Sequence, residues 1–96
     1  MRCMLKLELD TQAGNKAIGE GTLPGILQQV MDKTKPEATY FGTESGCRTA
    51  FIFFDLADPS DIPVIAEPAF TSLGARVTFM PVMNSDDLQK GLAQLG

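Results

Sequence analysis

The chain has 96 residues, 44% of them apolar and 21% charged, a balance that fits one globular domain with a modest core and argues against disorder. Its net charge is −4, and its eight basic residues are scattered, so neither a nucleic-acid backbone nor an anionic membrane surface is an expected partner. Histidine is absent, which removes the commonest metal ligand and the commonest general base near neutral pH, together with Ser-His and Cys-His nucleophile pairs.

Residues 2–10 alternate with period two and predict a strand, with Cys3, Leu5, Leu7 and Leu9 on one face and Met4, Lys6 and Glu8 on the other. Residues 11–21 are glycine-rich. A short helical turn is expected only over 15–20, with Ala17 and Ile18 inward, and the stretch from Asn15 to Gly25 reads as a broken helix or a flap. Thr22 is the expected cap of the next helix and Pro24 suits its first turn. Leu23, Ile26, Leu27, Val30 and Met31 recur at helical spacing as far as Lys33, and Pro36 closes the element.

A second strand is predicted over 37–43, a turn at Glu44-Ser45-Gly46-Cys47, and a third strand over 48–56. That third strand is apolar on both faces, with Ala50, Ile52, Phe54 and Leu56 on one side and Phe51 and Phe53 on the other, which places it centrally in a sheet. The following helix turns Ile62, Ile65, Ala66, Ala69, Phe70 and Leu73 inward. Pro68 is expected to kink it or to weaken a hydrogen bond, and Gly74 to cap it. Residues 75–83 form a last strand that Pro81 confines to a sheet edge. Asn84 or Ser85 then starts a short helix over 85–95 with Leu88, Leu92 and Leu95 as its stripe. The methionines are expected mainly as core filling.

The order β-α-β-β-α-β suits an α+β fold of the ferredoxin-like, split βαβ type, with an antiparallel sheet of order 4-1-3-2 and a short C-terminal helix in one domain, 1–96. Both long helices then shield one face. The other face carries Met4, Lys6, Glu8 and several phenylalanines, an apolar patch that asks for cover. A second copy of the chain is the expected cover, and the C-terminal helix folding back is the alternative.

On three segments the chain resembles small bacterial proteins of the dimeric α+β-barrel superfamily: Pro36-Glu37-Ala38-Thr39-Tyr40-Phe41, Arg48 to Asp55, and Arg76 to Met83. The resemblance implies a homodimer whose two sheets face one another around a shared cavity. Enzymatic members include monooxygenases, haem-degrading enzymes and lactone isomerases. Several lean on a histidine that this chain lacks. A cofactor-free oxygenase or isomerase remains an alternative, because such chemistry asks the protein mainly for a pocket.

Candidate ligand-binding residues follow from side-chain chemistry. Lys6 and Glu8 are polar anchors on a mixed strand face. Tyr40 carries a hydroxyl on an apolar ring. Arg48 has a planar fork suited to a carboxylate. Asp55 ends the third strand, and Glu67 lies beside Pro68. Each also has a structural reading, as a surface ion pair, a buried ring or a solvated face. No metal site and no cofactor is expected, since two cysteines without histidine make no four-ligand site. The N-terminus lacks the apolar run of a signal peptide, so the expectation is a cytoplasmic protein with Cys3 and Cys47 reduced. The sequence therefore predicts a homodimeric binder of a small apolar or weakly acidic molecule, with a purely structural or regulatory module as a further alternative.

Overall fold

The computed structural model describes residues Met1–Gly96. Burial in β1 (Arg2–Glu8) switches at every residue, and Cys3, Leu5 and Leu7 are sealed on one face. The chain continues through α1 (Thr11–Gly19), α2 (Leu23–Thr34), β2 (Ala38–Glu44), β3 (Cys47–Asp55), α3 (Asp61–Leu73), β4 (Arg76–Pro81) and α4 (Ser85–Ala93). The fold is α+β, with one antiparallel four-stranded sheet of order β2-β3-β1-β4. This is the expected order read from the other edge, and it is consistent with a ferredoxin-like arrangement. β3 lies between β1 and β2. β4 forms an edge, where the missing N–H of Pro81 leaves no interior ladder unpaired.

Register builds the core. Leu5 stands between Ile52 and Phe79, and Leu7 between Ala50 and Val77. Their shared face packs on Ala17 of α1, Val30 of α2, and Ile65, Ala69 and Leu73 of α3. The ring of Phe54 meets that of Phe79 edge to face at 6.4 Å. On the opposite face Met4, Lys6, Glu8, Phe51 and Phe53 are only half-buried, and Tyr40 and Met80 are exposed.

The first helix departs from expectation. It starts at Thr11 rather than near residue 15, because Asp10 caps it by accepting from the Ala13 N–H at 2.9 Å. Ile18, expected inward, is 49% exposed, and Ala17 takes the buried position. Gly21, at φ +72°, makes the turn into α2. Thr22 does not cap α2 with its side chain. Its hydroxyl donates instead to the Ala17 carbonyl at 3.3 Å, tying the two helices together.

In α3, Pro68 sits in the interior of a helix that continues to Leu73. Proline has no N–H for the carbonyl of Val64 four residues earlier. The Lys33 ammonium, from the end of α2, donates to that carbonyl at 3.1 Å. Phe70, also expected inward, is 47% exposed. The methionines are not core residues: Met4 and Met31 are half-buried, and Met80 and Met83 are exposed.

α4 opens with a reciprocal cap, in which the Asn84 side chain accepts from the Asp87 N–H at 2.8 Å and the Asp87 carboxylate accepts from the Asn84 N–H at 3.1 Å. The helix nevertheless buries no residue. The radius of gyration is 15.2 Å with a long axis of 55 Å, against about 12.5 Å expected for a compact chain of this length. The last helix thus does not fold back over the open sheet face. No helix is long and apolar enough to cross a membrane. Both thiols are free, Cys3 buried on the helix side and Cys47 half-buried at the start of β3.

Candidate functional site

Cross-strand register lays out the open face in rows. Ala38, Phe53, Met4 and Met80 form the first, from β2 to β4. Tyr40, Phe51, Lys6 and Thr78 form the second, and Gly42, Thr49, Glu8 and Arg76 the third. The face therefore passes from apolar to polar along the strands. Tyr40 and Phe53 meet diagonally, their rings 6.5 Å apart at 75°, an edge-to-face pair that fixes the aromatic end.

At the polar end Lys6 of β1 reaches across β3 to Glu44 of β2, with Nζ 2.8 Å from Oε2. Thr49 lies between them on β3 and is only 3% exposed, as expected beneath the stem of a crossing lysine. The Glu44 Oε2 atom is sealed from water, and the Lys6 ammonium is its counter-charge. The bond to Glu44 raises the Lys6 pKa above its ordinary value, against an opposing effect of burial. The charges of Glu44 and Glu8 raise it further, and Arg76 lowers it. Lys6 is an ammonium at neutral pH, as a lysine at its ordinary value already is, and the pair carries that state further into the alkaline range. It can donate to a ligand acceptor, and it is not available as a nucleophile or base.

Lys6, Glu8 and Tyr40 share this face. Of the other three candidates, Asp55 shares the face by register but at its far end, opposite Arg2, while Arg48 and Glu67 lie off it. Arg48 is on the helix side of the sheet, opposite Thr43, where its Nη2 donates to the Asn15 side chain of α1 at 2.9 Å. Asp55 closes the end of β3 and accepts from the Met1 amino group at 2.6 Å. Glu67 is exposed on α3, in the helical layer. Parity alone separates Arg48 from Glu8, because a one-residue step along a strand changes its face.

The sequence pattern places Glu44 only in a turn, whereas the structure ends β2 on it. Its alternation with Gly42 and Tyr40 on β2 was the available signal, since residues two apart in a strand share a face. No group of three or more acidic or thiol side chains is placed to hold a metal ion. The face can therefore stack an apolar body on Phe51, Phe53 and Tyr40 and offer the Lys6 and Arg76 cations, the Glu8 carboxylate and the Tyr40 and Thr78 hydroxyls beside it. Comparison with protein-family models, with curated proteins and with solved structures returned no match.

Proposed function

We propose that the protein is a homodimeric binding module in which two open sheet faces oppose one another and enclose a small, apolar or weakly acidic molecule. This is the arrangement implied by its resemblance to the dimeric α+β-barrel proteins. One observation carries the reading: Met4, Phe51, Phe53, Tyr40 and Met80 lie together on a face that no element of the same chain covers. An aromatic patch of this kind on a small domain is the usual mark of an interface or a ligand surface, and two-fold self-association is the commonest way to close one. Lys6, fixed by Glu44, supplies the polar anchor that orients a ligand in a mainly apolar site.

Sedimentation equilibrium and native mass spectrometry of the purified protein test the reading. The expected result is a dimer at micromolar concentration carrying a small molecule, converted to a monomer by Phe53→Glu. A wild-type chain that stays monomeric at those concentrations overturns it.

A further inference from the structure

We propose a second ligand site on the other side of the sheet: an apolar groove between α2 and the β2–β3 hairpin, in which Arg48 grips the carboxylate of a small amphiphilic acid. The groove has a volume of about 360 Å³ and is walled by Leu9, Leu23, Leu27, Phe41 and Ala50, with Arg48 as its one charged residue. Phe41 faces the helical layer, beside the buried Ala50, yet remains 61% exposed. α2 therefore stops short of the β2 edge and leaves an aromatic wall uncovered on the helix side.

Arg48 is exposed, but its guanidinium is held against the helical layer. Its guanidinium is fixed by Asn15 at 2.9 Å and lies against α1 at Gly14, where an added Cβ would stand 2.8 Å from Nη1. A glycine inside a helix weakens it. Here the glycine is what lets the guanidinium rest on the helix. No carboxylate of the chain lies within ion-pair distance of Arg48, although the chain has twelve acidic residues. Of the five N–H donors of an arginine fork, one is engaged by a side chain, and the rest are free for a bidentate partner. A single unpaired cation at the end of an apolar groove is complementary to one anionic group on an apolar body. The groove volume is near the lower end of the range for small-ligand sites, roughly 300–1,000 Å³, which suits a medium-chain fatty acid or an aromatic acid rather than a larger amphiphile.

The test is a titration of the intact protein followed by amide chemical shifts, with octanoate and benzoate as probes and octanol as the neutral comparison. Shifts are expected at Leu23, Phe41, Arg48 and Ala50, and octanoate should bind at least tenfold more tightly than octanol. Arg48→Gln should remove that preference and leave octanol unchanged. Arg48→Lys, which keeps the charge and loses the fork, should weaken octanoate severalfold and serves where the glutamine variant folds poorly. Gly14→Ala, which displaces the guanidinium, should also weaken it. Stronger binding of benzoate than octanoate would identify an aromatic acid as the better occupant. Equal binding of octanoate and octanol, shifts confined to Met4, Lys6 and Phe53, or no shifts at all would each overturn the site. Sedimentation of the same samples keeps the two proposals apart, since Arg48→Gln is expected to remain dimeric.

Discussion

The Lys33 ammonium donates to the Val64 carbonyl across the contact between α2 and α3, serving the acceptor that Pro68 leaves without an intrahelical partner. A side chain from one helix thus repairs the ladder of its neighbour. Lys33→Met is expected to cost about 0.5–1.5 kcal/mol, the range of a solvent-accessible hydrogen bond. Pro68→Ala restores an N–H for Val64, so in that background Lys33→Met should cost close to nothing. A double-mutant cycle by urea denaturation measures both. Equal costs in the two backgrounds would show that the lysine acts independently of the proline.

The ion pair of the open face carries its own pH signature. The folded chain holds the Lys6 proton more tightly than the unfolded chain, so this stabilisation is complete below the ordinary lysine value of 10.5 and fades as pH rises through the higher folded value. The melting temperature of the native chain should therefore fall more steeply above pH 10.5 than that of Glu44→Gln, in which the carboxylate paired with Lys6 is gone and only the weaker Glu8 charge remains. Parallel alkaline slopes for the two proteins would contradict this account.

The β2–β3 turn places Ser45 at φ 54° and Gly46 at φ 75°, so both central residues are left-handed. Such a two-residue turn prefers Asn-Gly, and serine is strained at its first position. Ser45→Asn is expected to stabilise the fold by several tenths of a kcal/mol, up to about 1 kcal/mol, and Gly46→Ala to destabilise it by about 1 kcal/mol or more. Thermal melts of the two variants should move in opposite directions, and movement in the same direction would argue against the turn.

Because α4 buries nothing, the body of the protein should fold without it. Its recorded tie to the sheet is an exposed ion pair, Arg2 to Asp87 at 3.7 Å, a type worth under about 1 kcal/mol. A chain ending at Met83 should keep the same cooperative unfolding transition, with a stability loss under about 1 kcal/mol measured at concentrations where the chain is monomeric. A larger loss would mean that the helix packs on the body in solution.

Much of the fold was legible because its signals are local. Alternation in Cys3, Leu5 and Leu7 marked β1, and the two-sided apolar run from Ala50 to Phe54 marked the centre of the sheet. Pro81 marked an edge. The departures lie at a glycine and at two large apolar helix residues. Gly14 hid the first turns of α1, because it serves the packing of Arg48 rather than breaking the helix. Ile18 and Phe70 were assigned inward by hydrophobicity, although helices this short present only a narrow stripe to the sheet, and smaller residues such as Ala17 and Ala69 sit at the close approach.

The sequence by itself determined the elements and the face on which each strand residue lies, because a strand repeats every two residues and a helix every 3.6 whatever surrounds them. Only the tertiary structure decided which charged groups meet. Lys6 joins Glu44 by crossing an intervening strand, Arg48 is separated from Lys6 by the thickness of the sheet, and Asp55 is taken by the Met1 amino group. Those relationships depend on strand order and register between distant segments, which the local periodicity of a chain does not encode.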